Sequence, residues 1–358
     1  MNTKRLSTEL KQYLNEGIVI PAHPLALDAD REFDEEKQRR LTRYYIASGA
    51  GGIAVGVHST QFEIRDPEIN LYETVIKSAS EEIDRANLNR PFLRVAGICG
   101  PTAQAKEEAN LAVKYNYDMG LLSLGGLESW TEQEILERAK TIAEIIPVFG
   151  FYLQPSVGGR IFSYDFWLKF SEIDNIEAIK VAPFNRYQTL DVMRAVCNSS
   201  RRDQISMYTG NDDNIVADLL AEYRFEVNGQ TINKNFVGGM LGHWAVWTNA
   251  VVKLMEEVKN YRENKTVEKY ESLQLLGIEI TDVNAAIFDP ANKFHGCIPG
   301  IHEILRRQGL IDGRWCLNPK EELSPGQMEE IDRVYAAYPH LNDDSFVKEF
   351  LAEDSLSQ

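Results

Sequence analysis

Paired cysteines, long apolar runs and an excess of positive charge are all missing from this sequence. Its four cysteines, Cys99, Cys197, Cys297 and Cys316, stand far apart with no CxxC spacing, which leaves no disulfide framework and predicts free, mostly buried thiols in a reducing cytoplasm. No apolar run approaches the roughly 20 residues that a bilayer-spanning helix requires. The opening Met1-Asn2-Thr3-Lys4-Arg5 leads into a polar helical stretch without an apolar signal core, so a cytoplasmic protein that does not cross a membrane is expected. Acidic residues outnumber basic ones by 54 to 38, a formal net charge of -16 whose field repels phosphates and argues against nucleic-acid or anionic-membrane partners. The glycine-rich dinucleotide fingerprint is missing too. Gly49-Ala50-Gly51-Gly52 precedes a predicted strand, where the fingerprint must follow one, and reads as a helix stop and tight turn.

What is present suits a large soluble core: 358 residues, 44% hydrophobic and 26% charged. Short β-like runs alternate with amphipathic helical stretches. The runs are Ile18 to Pro21, Gly52 to Val57, Phe92 to Ile98, Met119 to Leu122, Val148 to Leu153, Ile176 to Val181, Ile205 to Tyr208 and Asn235 to Gly238. Between them, apolar residues at three- and four-residue spacing predict helices over Glu35 to Ser48, Thr102 to Tyr115, Thr131 to Ile146, Tyr164 to Ile173, Tyr187 to Val196 and Asn211 to Tyr223. Eight runs is the count of an α/β (β/α)8 TIM barrel; a doubly wound open sheet gives the same alternation, and the fingerprint that would favour it is missing. After the eighth run only helices are predicted, over Gly242 to Tyr261, Val267 to Leu276, Pro299 to Gln308 and Ser324 to Tyr338, before a polar tail from Ala352 to Gln358. The expected organisation is an N-terminal helical extension over 1–16, the barrel over 17–258 and a C-terminal helical region over 259–358.

A barrel of this kind builds its active site at the C-terminal ends of the strands. Few carboxylates stand there, and Glu63, Asp212 and Asp213 sit in loops or helix first turns where solvation or capping explains them, which disfavours a two-carboxylate hydrolase. Lys180 closes the run Ile176-Glu177-Ala178-Ile179, and burial there disfavours its ammonium and frees the neutral amine as a nucleophile. Such an amine attacks the ketone of a 2-oxo acid and holds it as a covalent imine, an electron sink for making or breaking a carbon–carbon bond, with no separate cofactor or metal. Tyr152, one βα unit earlier, is the expected proton relay. His58, Ser59 and Thr60 after the second strand supply expected donors to the substrate carboxylate, and Gly210, Asn211 and Gly239 at the seventh and eighth strand ends complete the expected substrate-binding set.

Several blocks together resemble the dihydrodipicolinate synthase/N-acetylneuraminate lyase family of class I aldolases, from about Gly17 to about Leu341. They are Gly17-Ile-Val-Ile-Pro-Ala-His-Pro-Leu followed by Asp28, Asp30, Glu32 and Asp34; Ala47-Ser-Gly-Ala-Gly-Gly-Ile-Ala-Val-Gly56; Tyr152-Leu-Gln-Pro155, similar to a Tyr-Asn-x-Pro block; Ile179-Lys180; Thr209-Gly-Asn-Asp-Asp213; Gly238-Gly-Met-Leu-Gly242; and Pro299 to Gly309 with Leu317-Asn-Pro after it. The resemblance implies a lyase, an aldolase or related dehydratase, using pyruvate or another 2-oxo acid and an aldehyde, in a homo-oligomer that is a dimer or tetramer. Its departures are informative. Gly56-Val57-His58-Ser59-Thr60 stands where the family has Gly-Thr-Thr-Gly-Glu, Val157 where its synthases carry an arginine, and Leu122-Ser123-Leu124-Gly125-Gly126 where they lend a tyrosine to a neighbouring subunit. A true dihydrodipicolinate synthase is therefore not expected. Two rivals stand beside the imine reading: a metal-dependent hydrolase or lyase using His23, His58 and His243, although no HxH or HExxH pair pre-organises them, and a non-catalytic 2-oxo acid sensor.

Overall fold

Each short apolar run becomes a strand because both its faces are covered, and each amphipathic stretch between runs becomes a helix with one face buried. The computed structural model describes residues 3–356; residues 357 and 358, which end the polar tail, and residues 1 and 2 lie outside the described residues. The strands are β1 (Val19–Pro21), β2 (Gly52–Val55), β3 (Leu93–Ile98), β4 (Met119–Ser123), β5 (Val148–Tyr152), β6 (Ile176–Val181), β7 (Ser206–Thr209), β8 (Tyr223–Val227), β9 (Gln230–Lys234) and β10 (Phe236–Leu241). The helices are α1 (Thr8–Glu16), α2 (Glu35–Ala47), α3 (Tyr72–Arg85), α4 (Thr102–Lys114), α5 (Glu132–Ala143), α6 (Tyr164–Ser171), α7 (Arg186–Asn198), α8 (Ile215–Leu220), α9 (Thr248–Glu263), α10 (Val267–Phe288), α11 (Cys297–Arg307), α12 (Gln327–Ala337) and α13 (Asp344–Asp354). Eight strands form one sheet in the order β1-β10-β7-β6-β5-β4-β3-β2, and a parallel bridge between Ala22 and Ala54 joins the two ends of that order. This is a (β/α)8 barrel followed by C-terminal helices. None of the described helices is long and apolar enough to cross a membrane.

Contacts divide the chain into two compact units, one of Met1–Ile18 with Leu93–Met240 and one of Val19–Phe92 with Leu241–Gln358. In the first, helix starts follow their capping residues. Ser7, Ser163 and Asn185 accept from backbone amides at the starts of α1, α6 and α7, and Thr131 and Glu134 form a reciprocal capping box on α5. The helix expected over Asn211 to Tyr223 is corrected: α8 holds only the six residues Ile215–Leu220, and Tyr223 opens an antiparallel hairpin, β8 with β9, that was not expected. Its turn is Asn228-Gly229, both at positive φ (51° and 78°), the combination that two-residue hairpin turns favour. In the second unit α10, α11 and α12 pack together around the Gln327 amide, which donates to the carbonyls of Ala286, Ile287 and Gly296. The four cysteines are free thiols, three of them buried.

Candidate active site

The face on which each β5 and β6 side chain stands is set by an irregularity between the two strands. Val148 pairs with Ile176, but Phe149 pairs with Ala178, so Glu177 is an extra residue on β6, held by an ion pair from its buried carboxylate to Lys11 at 2.7 Å. Past that point Phe151 pairs with Lys180 and Tyr152 with Val181. Partners in register share a face, and successive residues alternate. Lys180 and Phe151 therefore stand together, with the lysine Nζ 4.4 Å from the phenyl centroid. A methyl group built on Gly150 would lie 2.6 Å from Phe170 of α6, which marks Gly150 and Tyr152 as the helix-facing residues of β5.

Tyr152 accordingly packs against Trp167 and Phe162, with ring centroids at 5.0 and 6.2 Å. The charges that act on its phenol are Asp191 and Glu132, both on helices. Only 1% exposed, it has a hydroxyl without an aligned hydrogen bond, and burial pushes its pKa up to about 12 with the Phe162 backbone opposing. The expected relay is thus corrected: Tyr152 lies on the helix side of its strand, away from the lysine. Tyr152→Phe is expected to leave Lys180 reactivity within about two-fold of wild type, where loss of a true proton carrier costs roughly 10² or more; a single-turnover rate of lysine modification by a 2-oxo acid measures it.

Lys180 is 8% exposed, and burial lowers its pKa to about 8, with the Asp212 carboxylate pulling the other way. Gly210 makes the room. A methyl group there would meet Lys180 Cε at 2.5 Å and Ala182 Cβ at 2.8 Å. Neighbouring Asn211 is fully buried and spent on structure: its carbonyl accepts from Phe184 N at 3.0 Å, and its amide donates to Asp218 at 2.8 Å and Thr189 at 3.3 Å. Asp218, also fully buried, accepts from Thr209, Asn211, Asn214, Tyr223 and Arg186. Gly239 is buried on β10, its N–H directed at the Ile18 carbonyl at 3.4 Å. Asn211 is therefore corrected from substrate ligand to loop brace, and Gly210 is the space the lysine occupies. The residue that sequence reasoning set aside is Asp212, 8% exposed in the turn after Gly210. Its signal was only its place three residues beyond a strand end.

In the second unit the loop after β2 turns its hydroxyls inward. Thr60 Oγ1 accepts from the Gly56 and Val57 amides at 3.0 and 3.1 Å and donates to the His23 carbonyl at 2.7 Å, and Ser59 Oγ donates to the Ala22 carbonyl at 2.9 Å. Thr60 is thereby corrected to a backbone clamp between β1 and β2, and the Ser59 proton is committed. His58 is half-buried, its ring 5.9 Å from that of Phe62. Both ring nitrogens of His23 have partners: Nδ1 lies 2.8 Å from the Pro24 carbonyl and 2.9 Å from the Gln38 amide, and Nε2 lies 2.9 Å from Thr42 Oγ1. His243 is buried and bonded to Asn284. Among the described residues no three histidine, cysteine or acidic side chains are grouped as metal ligands.

Burial lowers the pKa of both His23 and His243 to about 4. Between that value and the unfolded 6.5 the unfolded chain binds more protons, so stability is intact above 6.5 and falls as pH drops toward 4. The expected loss is at most about 1.4 kcal/mol per histidine per pH unit, to be read from urea denaturation at pH 7, 5.5 and 4.5.

No family model matches the sequence, and no curated protein matches it. Solved structures do. A dihydrodipicolinate synthase from Oceanobacillus iheyensis superposes with a TM-score of 0.71 at 17% identity, over 93% of this chain and 99% of that one. The chain has the fold of the dihydrodipicolinate synthases and N-acetylneuraminate lyases. An Acinetobacter baumannii dihydrodipicolinate synthase complexed with pyruvate gives 0.70 at 19% identity, over 89% of this chain and 98% of that one. The N-acetylneuraminate lyase of Fusobacterium nucleatum gives 0.68 at 17%, over 90% and 99%.

Proposed function

We propose that this protein is a class I lyase, an aldolase or related dehydratase, in which Lys180 forms an imine with pyruvate or another 2-oxo acid and a carbon–carbon bond is made or broken next to it. The observation that carries the reading is the buried Lys180 amine, lowered to about 8 at the C-terminal end of β6, with Gly210 leaving its side chain room. At pH 7 about one lysine in ten is then the free nucleophile, against fewer than one in a thousand for an ordinary lysine. The shared fold supports the reading, and one neighbour of that fold holds pyruvate. The amine attacks the ketone carbon, the oxygen leaves as water, and the iminium draws electrons from the adjacent bond. Polar groups for the substrate carboxylate are drawn from backbone amides rather than from Thr60 or Asn211, whose side chains are committed.

The test is reductive trapping. The protein is incubated with pyruvate, then a panel of 2-oxo acids, and sodium borohydride, and adducts are located by intact and peptide mass spectrometry. A reduced adduct on Lys180, missing from Lys180→Ala, supports the reading. No adduct with any 2-oxo acid overturns it.

A further inference from the structure

Imine formation needs a group that moves protons between nitrogen, oxygen and leaving water, and the side chains flanking Lys180 in the sheet offer none. Phe151 on one side has no hydroxyl. On the other side Tyr208 pairs with Lys180, but its hydroxyl donates to the Leu14 carbonyl at 2.6 Å and accepts from Ile18 N at 3.2 Å. Tyr152 faces the helices, and the Asn211 amide is spent. Asp212 remains. Its N–H closes a tight turn on the Gly210 carbonyl at 3.1 Å, directly after the glycine that lies against the lysine side chain, and it is buried with that lysine. The charges beside it are Asp213, exposed at the next position of the loop, and Arg186 at the start of α7, paired with Asp218.

We propose that Asp212 is the acid–base group of Lys180, carrying the protons of imine formation and hydrolysis. The proposal rests on the imine reading above. The neutral pair of amine and carboxylic acid is a proton tautomer of the ammonium–carboxylate pair, so the active form needs no proton from solvent. The amine lone pair attacks the ketone carbon, the carbonyl π pair moves to oxygen, and that oxygen takes the Asp212 proton. The resulting carboxylate removes one proton from the new ammonium nitrogen, giving the neutral carbinolamine. The re-formed acid then protonates the carbinolamine hydroxyl, which departs as water with the C–O pair while the nitrogen lone pair closes the C=N bond. One water is released, and an iminium is left beside the Asp212 carboxylate, which stabilises it.

The deciding variant is Asp212→Asn, because charge and proton transfer push its rate in opposite directions. Asp212 raises the lysine pKa, so a carboxylate acting only as a charge predicts faster trapping near pH 7 once it is removed. A proton carrier predicts trapping slower by about 10²-fold across pH 6 to 9.5. Trapping rates with pyruvate are measured for wild type, Asp212→Asn, Asp212→Glu and the control Asp213→Asn, with thermal melts to confirm folding. Slow trapping in Asp212→Asn, substantial recovery in Asp212→Glu and wild-type rates in Asp213→Asn establish the role. Wild-type or faster trapping in Asp212→Asn overturns this proposal while leaving the Lys180 imine standing. No adduct in the wild type removes both.

Discussion

Alanine in place of Lys180 is expected to abolish the reduced 2-oxo acid adduct altogether, because no other amine among the described residues shares its setting: buried on a strand, against an aromatic ring, with a glycine opposite. The same position should show a cost of function. With a folded pKa of about 8 against 10.5 for a free lysine, the unfolded chain holds the extra proton more readily, and the penalty is fully present below pH 8 and gone above 10.5. Methionine keeps the apolar stem and drops the charge. Lys180→Met is therefore expected to lose all trapping yet to be more stable at pH 7 by on the order of 2 kcal/mol, with the gain shrinking as pH rises past the folded value of about 8. Urea denaturation at pH 7 and pH 10 reads both the size and its pH dependence. A destabilised Lys180→Met would mean that the lysine is a structural cation, contrary to the reading of its burial.

Asp218→Ala carries the second large effect. Five donors converge on this fully buried carboxylate, and those of Thr209 and Asn211 are themselves fully buried. Arg186 and Tyr223 reach solvent and can be rehydrated, whereas the buried pair cannot. An orphaned buried donor costs about 1–3 kcal/mol, so a loss of roughly 3 kcal/mol is expected. Asn211 also holds Phe184 in the left-handed region, at φ 52°, a conformation that persists only while its surroundings impose it. Loosening it frees the turn that carries Gly210 and Asp212. The variant should therefore lower both thermal stability and the Lys180 trapping rate; Asp218→Asn, which keeps two acceptor lone pairs, should recover part of the stability.

Strand positions, the helical C-terminal region and the burial of Lys180 on its strand were legible in the sequence because each depends on local pattern: an apolar run, a helical period, a cation ending a buried strand. The hairpin over β8 and β9 was missed because the helix expected over Asn211 to Tyr223 was carried into the first residue of β8 and the segment after it was left unassigned, although Asn228-Gly229 is a sequence suited to a two-residue turn. Thr60 and Asn211 were misread for a different reason. A hydroxyl or amide at a strand end looks like a ligand until the backbone groups that consume it are known, and those lie on other segments. Asp212 was set aside because loop carboxylates are usually solvated, and only tertiary packing shows that this one is not. Tyr152 failed on parity. Adjacent residues in a strand must face opposite sides, so Phe151 and Tyr152 could not both meet the lysine, and nothing in the local sequence says which one does.

The extra residue at Glu177 has an evolutionary meaning. Were β5 and β6 paired without it, the spacing of Val148 and Ile176 would run on to set Tyr152, not Phe151, opposite Lys180. One codon of slippage therefore separates a lysine beside a phenyl ring from a lysine beside a phenol, with every side chain conserved. Deleting Gly150 from β5 would make that exchange. Two chains of this fold with the same lysine and the same tyrosine in sequence can thus differ in mechanism through an indel alone, a difference that residue-by-residue comparison would overlook.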